Sequence, residues 1–260
     1  LEVFDMLLAI DMGNTQTVVG LLDGEGIAHH WRFATSRSRT ADEYRLLIHG
    51  LFDLDEIDVD DISGVIISSV VPHATEALHS AAAMFDAVDV LVVGPGVKTG
   101  MPILIDNPKE VGADRIVNAV AARQTYGAPV VVVDFGTSTN FDVVSREGEY
   151  LGGAIAPGLE VSMDALVSAT AALRRVALEP PRAAVGKGTV EAIQSGLLYG
   201  HAGLVDGIMG RIVAELGLDT ATVATGGLAP LIVPLCETVD HIDEHLTLAG
   251  LRLLWDRNRG

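Results

Sequence analysis

The sequence predicts an α/β protein built from two duplicated halves, and two observations carry that expectation. The first is a pattern that occurs twice: residues 7–26 read LLAIDMGNTQTVVGLLDGEG and residues 130–150 read VVVVDFGTSTNFDVVSREGEY. Each begins with an apolar run suited to a buried strand and then reaches Asp-x-Gly. Each passes through hydroxyl or amide residues into a second β-rich run that ends in a Gly turn. In this alignment Asp11 matches Asp134, Gly13 matches Gly136, Asn14 matches Thr137, and Thr15 matches Ser138. The second observation is that strands and helices of similar extent alternate after each hairpin, the pattern of α/β domains. The halves are expected to divide into residues 6–126 and 127–260.

In the first half, Thr40-Ala41-Asp42-Glu43 forms a capping box that opens a helix to about residue 52. Residues 64–71 read as a buried strand, 72–85 as an Ala-rich helix, 88–93 as a strand and 108–124 as a helix. In the second half, 157–175 and 189–216 read as long helices and 221–224 as a strand that ends at Thr225-Gly226-Gly227. Residues 241–257 read as a last helix, and EPPRAAVGK at 179–187 is the clearest loop by its Pro and Gly content.

Composition narrows the functional classes. The 260-residue chain is 49% hydrophobic and 20% charged, ordinary for a protein with a real core. Its formal charge of −18 makes it a poor general binder of nucleic acid or of an anionic membrane. No apolar run approaches the roughly 20 residues that span a bilayer. The first residues do not read as a signal peptide; Leu1–Asp5 precede Met6, which looks like a natural start, and are assigned no function. The single Cys236 excludes internal disulfides and fits a reducing cytoplasm. None of the three lysines, Lys98, Lys109 and Lys187, stands in a P-loop pattern. Dinucleotide-binding, Gly-x-Ser-x-Gly and zincin motifs are absent.

The two Asp-x-Gly turns carry the candidate chemistry. A glycine in such a turn lets a phosphate approach the backbone, and neighbouring hydroxyls and amides donate to its oxygens. The acid repels phosphate but can hold Mg²⁺, which bridges phosphates. Two such turns facing each other across a cleft would clamp a triphosphate. In so acidic a chain the positive potential must come from backbone N–H groups, helix N-termini and Mg²⁺. Thr225-Gly226-Gly227 is a third backbone-exposing turn, suited to a nucleobase or sugar.

Taken in order, Asp11-Met12-Gly13-Asn14-Thr15, Gly112-Ala113-Asp114-Arg115, Asp134-Phe135-Gly136-Thr137-Ser138-Thr139, Gly152-Gly153-Ala154-Ile155-Ala156-Pro157-Gly158 and Thr225-Gly226-Gly227 resemble the motifs of the type III pantothenate kinases. These are members of the superfamily that contains actin, hexokinase and acetate kinase. The resemblance runs from about Met6 to Trp255. It implies two actin/ribonuclease H-like domains with a nucleotide cleft between them, transfer of the ATP γ-phosphoryl group to pantothenate, Mg²⁺, a monovalent cation (K⁺ or NH₄⁺) and a homodimer. By position it implies that Asp11, Gly13, Asn14, Thr15, Thr17, Gly136 and Thr137 serve the phosphates, with Asp11 also serving Mg²⁺. Asp134 would lie at the monovalent-cation site, and Gly226 and Gly227 would face the adenosine. Asp114 would be the catalytic base, Gly112, Ala113 and Arg115 would hold pantothenate, and Thr189 would reach the pantothenate of the other protomer.

Two positions depart from the family pattern. Asn140 stands where many members have Thr, and Ile105 stands where many have a Tyr near the substrate. Several alternatives remain open on sequence grounds. The same motifs would serve a kinase of another small alcohol, or a non-catalytic regulatory relative. Asp114-Arg115 also fits a helix-start acid beside a surface ion pair; as the base, Asp114 is expected to keep an ordinary carboxylate pKa near 3.9 and so to be ionised. His241 and His245 have i, i+4 helical spacing but no third ligand. The small and apolar residues of 196–212 suit either a core or a dimer interface.

Overall fold

The computed structural model describes residues 6–24, 26–85, 88–217 and 219–259, so the segment ahead of Met6 lies outside the described residues. Its first sheet contains β1 (Met6–Met12), β2 (Gln16–Leu22), β3 (Ile27–Ala34), β4 (Ile62–Ser69) and β5 (Asp89–Val92), in the order β3-β2-β1-β4-β5. Its second contains β6 (Val130–Phe135), β7 (Ser138–Val144), β8 (Tyr150–Pro157), β9 (Ala221–Thr225) and β10 (His241–Ile242), in the order β8-β7-β6-β9-β10. The two orders coincide strand for strand. In each sheet three antiparallel strands are followed by two strands parallel to the first. The predicted duplication is thus present in topology as well as in sequence.

The helices are α1 (Ala41–Leu54), α2 (Pro72–Ala81), α3 (Ala113–Tyr126), α4 (Leu159–Ser168), α5 (Thr189–Leu216), the single turn α6 (Ala229–Ile232) and α7 (Leu246–Asn258). The capping box is formed: the Glu43 N–H donates to Thr40 Oγ1 at 3.3 Å and the Thr40 N–H donates to Glu43 Oε2 at 2.7 Å. On one face of the first sheet, Leu8, Ile10, Met12, Val19, Leu21, Val65 and Ile67 pack against Tyr44, Ile48 and Phe52 of α1 and Ala74 and Leu78 of α2. Alternation along the strands sends Gly20 and Gly64 to the opposite face. There Leu248 and Trp255 of α7 lie so close that a Cβ at Gly64 would fall 2.0 Å from the indole ring. The second sheet packs Val131, Val133, Phe135, Phe141 and Val143 against Leu159 of α4 and Leu198, Val205 and Met209 of α5.

Contacts divide the chain into two compact units. One takes the chain through Gly100, Lys109–Ala121 and the chain from Thr247; the other takes Met101–Pro108 and Ala122–Leu246. The reasons are local. α7 covers the Gly20 and Gly64 face of the first sheet, as above. The Leu104 N–H donates to Tyr150 O and the Tyr150 N–H to Pro102 O, both at 2.8 Å, which adds residues 102–104 to β8.

Three predicted helices need correction. The span 108–124 is a single 3-10 turn at Pro108–Glu110 and then α3, with Gly112 ahead of it. The span 157–175 stops at Ser168, and Pro157 belongs to β8, an edge strand where a missing N–H costs nothing. At that stop the Ser168 and Thr170 hydroxyls donate to the carbonyls of Ala165 and Leu166, capping the last turn. The span 241–257 opens as β10, because the Asp243 N–H donates to Ala224 O at 2.8 Å and extends the pairing with β9. His241 and His245 therefore do not share a helix.

Candidate functional site

In the first unit, parallel pairing sets the C-terminal ends of β1 and β4 side by side, with Asp11 opposite Ser68 and Met12 opposite Ser69. Such strand ends are where open α/β sheets bind ligands. The turn Gly13-Asn14-Thr15 follows β1 and is closed by a 3.0 Å bond from the Gly13 N–H to Gln16 O; Asn14 and Thr15 are exposed. Gly112 lies against Val70, just beyond β4, and a Cβ there would fall 2.4 Å from Asp114 Oδ1, so a side chain would displace that carboxylate. Asp114, in the first turn of α3, accepts the Arg115 N–H at 2.9 Å.

These placements bring two carboxylates into electrostatic reach. Asp11 is pushed up to about 7, first by burial and then by the negative charge of Asp114, while Ser68 works more weakly the other way. Its Oδ1 is buried and meets no hydrogen-bond partner among the described residues. Burial also raises Asp114, against the pull of the Arg115 N–H and guanidinium. The expectation of an ordinary Asp114 pKa is therefore corrected: this acid is partly desolvated. An orphaned carboxylate oxygen beside a second acid is a fitting place for a hard cation. Among the described residues no cluster of three or more His, Cys, Asp or Glu side chains could hold a metal. A divalent ion here would take most of its ligands from water and phosphate, as Mg²⁺ does.

In the second unit Asp134 lies near the end of β6, opposite Asn140 on β7 and Thr225 on β9. The exposed turn Gly136-Thr137 follows, closed by a 3.0 Å bond from the Gly136 N–H to Ser138 O. Gly226 has φ +92, and a Cβ there would fall 2.6 Å from Asp134 Oδ1 and 2.7 Å from the Phe135 backbone N and O, so only glycine fits. Gly227 is exposed ahead of α6.

The two turns differ in length, which corrects the sequence alignment. Met12 pairs with Thr17 across the first hairpin, whereas Phe135 pairs with Thr139 across the second. The closing bonds end on Gln16 and Ser138, so Ser138 corresponds to Gln16 rather than to Thr15, and Thr17 corresponds to Thr139. Thr17 is fully buried, with its hydroxyl 2.8 Å from Thr35 Oγ1. Thr139 is also buried, with its hydroxyl 2.9 Å from His201 Nε2.

The remaining predicted residues are placed as follows. Ala113 and Arg115 flank Asp114 at the start of α3, and Thr189 is exposed at the start of α5. Of the two departures, Asn140 Oδ1 accepts the Ser138 hydroxyl at 2.9 Å, and Ile105 lies beside Gly152 of β8. Sequence reasoning missed Ser68, Thr35 and His201. Ser68 was detectable as a hydroxyl at the end of a parallel strand; the other two owe their roles to pairing across the fold.

A family model for type III pantothenate kinase matches residues 7–211. A type III pantothenate kinase of Anaeromyxobacter sp. (strain Fw109-5) is 54% identical over 98% of this chain and 100% of its own length. One from Frankia alni is 54% identical over 97% of this chain and 100% of its own. Among solved structures, a conserved Campylobacter jejuni protein, provisionally described as a Baf family transcriptional activator, aligns with a TM-score of 0.59 at 17% identity, covering 97% of this chain and 98% of that one. The activator of 2-hydroxyisocaproyl-CoA dehydratase from Clostridium difficile, with bound ADPNP, aligns at 0.53 and 11%, covering 98% and 96%. At such identities these two likenesses bear on the fold alone. The match to the family model and the identity to its members, carried over nearly the full length, are decisive: the chain belongs to the type III pantothenate kinases.

Proposed function

We propose that this chain transfers the γ-phosphoryl group of ATP to the primary hydroxyl of pantothenate, giving 4′-phosphopantothenate in the first step of coenzyme A biosynthesis. The observation that carries the reading is the 54% identity to a type III pantothenate kinase across nearly the whole chain. The acids Asp11 and Asp114 support it, since burial and the charge of Asp114 make Asp11 a carboxylate suited to a cation.

Asp114 is the catalytic base. Its carboxylate orients the pantothenate hydroxyl and accepts its proton as the bond to phosphorus forms, and a pKa above the usual carboxylate range strengthens it as an acceptor. Gly112, Ala113 and Arg115 hold pantothenate, the guanidinium matching its carboxylate. Gly13, Asn14 and Thr15 in the first unit and Gly136 and Thr137 in the second serve the phosphates through N–H and hydroxyl donors. Gly226 and Gly227 face the adenosine. Thr17, buried and engaged by Thr35, supports its turn from behind. Asp11 would hold Mg²⁺, which when bound to ATP neutralises charge on the transferring phosphoryl group. Asp134 would hold K⁺ or NH₄⁺, with the Phe135 carbonyl nearby as a second hard donor. The active form is a homodimer in the cytoplasm, in which Thr189 faces the pantothenate of the other protomer.

The test is a phosphorylation assay with ATP, Mg²⁺, K⁺ and a panel of small alcohols. The expected result is transfer to pantothenate in preference to every other alcohol. Transfer to a different alcohol with none to pantothenate would overturn the reading.

A further inference from the structure

The two hairpins are related by duplication, yet their turns are held in different ways. In the second unit Gly158, just after β8, donates its N–H to Thr137 O at 3.1 Å. A Cβ at Gly158 would fall 2.4 Å from Thr137 O and 2.6 Å from Gly136 O, so the backbone packs straight onto the turn. In the first unit the residue just after β3 is Thr35, and its N–H donates to Thr15 O at 2.9 Å, the same bond in the same place. Here, however, there is a side chain. Thr35 Oγ1 donates to Gly13 O at 2.8 Å. A hydroxyl has one proton, so the 2.8 Å contact between Thr17 Oγ1 and Thr35 Oγ1 must have Thr17 as its donor. The result is a directed chain: Thr17 hydroxyl to Thr35 hydroxyl to Gly13 carbonyl, with the Thr35 N–H on the carbonyl of Thr15.

We propose that Thr35 is a positioning residue for nucleotide binding, acting through the Gly13-Asn14-Thr15 turn; this rests on the reading of that turn as a phosphate cradle. Thr35 fixes the carbonyls at both ends of the turn and holds them engaged on one side. Acceptor oxygens facing a phosphate would repel it, and Thr35 holds the Gly13 and Thr15 carbonyls engaged within the protein instead. Gly158, with no side chain, cannot perform this function, and there the buried Thr139 hydroxyl turns instead to His201. Thr17 sets the direction of the chain by supplying the proton that leaves Thr35 free to donate onward.

The test uses the full chain, with the MgATP dissociation constant measured by calorimetry and KM and kcat by steady-state assay. Thr35→Val keeps the shape and loses the hydroxyl; it should weaken MgATP binding and raise its KM by about three- to tenfold, the net worth of one hydrogen bond. KM for pantothenate should not change, a split that general loosening of the fold would not produce. Thr35→Ser should restore parental MgATP affinity to within about twofold of the parent, well inside one hydrogen bond's worth. Thr17→Val should give a smaller loss, and adding it to Thr35→Val should add nothing, because Thr17 acts only through Thr35. If Thr35→Val melts too low to assay, the Ser and Thr17 variants decide. Parental MgATP affinity in Thr35→Val, or equal rises in both KM values, would overturn the proposal. Failure of the parent chain to bind MgATP at all would overturn the reading of the turn itself, and the two failures are distinguishable.

Discussion

Replacing Asp11 by Asn should stabilise the protein at pH 8 and abolish phosphoryl transfer, because the same buried charge that serves the cation is a burden on the fold without one. The sign follows from linkage. Unfolded, Asp11 titrates at the ordinary value of 3.8; folded, it titrates at about 7. Between those values the folded protein keeps a proton that the unfolded chain has lost, so stability falls as pH rises through this window. Each unit corresponds to about 1.36 kcal/mol. Between pH 5 and pH 8 the drop has an upper bound of about 3 kcal/mol, and residual exposure of the carboxylate reduces it to about 1–3 kcal/mol. For a chain of this size that is a difference in melting temperature of roughly 2–4 °C per kcal/mol.

The assay is urea or thermal denaturation of parent and Asp11→Asn in chelator at both pH values, and the quantity to compare is the variant-minus-parent difference. Any cost of the unpartnered amide is common to both conditions and cancels. The difference should move in favour of the variant between pH 5 and pH 8, and added Mg²⁺ should restore the parent alone. A difference that does not change with pH, or one that moves in favour of the parent, would refute the argument.

Asp114→Asn should lower kcat by about 10²–10⁴-fold with MgATP affinity nearly unchanged, measured by steady-state assay and calorimetry; retention of more than about a tenth of parental kcat would assign the base elsewhere. Activity should require a small monovalent cation: substituting a bulky organic cation for K⁺ should abolish turnover, and Asp134→Asn should flatten the K⁺ titration. Light scattering at micromolar protein should return twice the 27.3 kDa of the chain, in line with a homodimer. Gly64→Ala should destabilise by about 1–3 kcal/mol or more through overpacking, since its methyl group would meet the Trp255 ring in a central strand; the additional change Trp255→Leu should recover part of the loss in a melting experiment.

Legibility in the sequence followed the range of the interactions. The hairpins, the Thr40–Glu43 capping box and the 28-residue helix α5 are dictated by local patterns, and all were readable. The ends that misled depend on competition. Ser168 and Thr170 terminate α4 with their own hydroxyls in an Ala-rich stretch that reads as helix, and His241–Ile242 become a strand only because β9 offers an edge. The acids Asp11 and Asp114 were readable as motif residues, but their coupling was not, since it arises where β1, β4 and the start of α3 meet. The one-residue difference between the turns was likewise invisible, because each turn follows Asp-x-Gly with a short run of hydroxyl and amide residues and only the pairing register separates Thr15 from the counterpart of Ser138.

The return of α7 to the first sheet has a consequence for how the chain is made. Synthesis delivers β1, β2 and β4 early, but the helix that covers Gly20 and Gly64 is encoded after the whole of the second unit. At typical elongation rates of about 5–20 residues per second, that face waits on the order of ten to thirty seconds for its cover. The second unit, complete once Leu246 has emerged, can close sooner. The half begun first is therefore finished last, and the nascent chain carries an uncovered apolar sheet face through most of its time on the ribosome, a period in which chaperone holdases have a defined surface to protect.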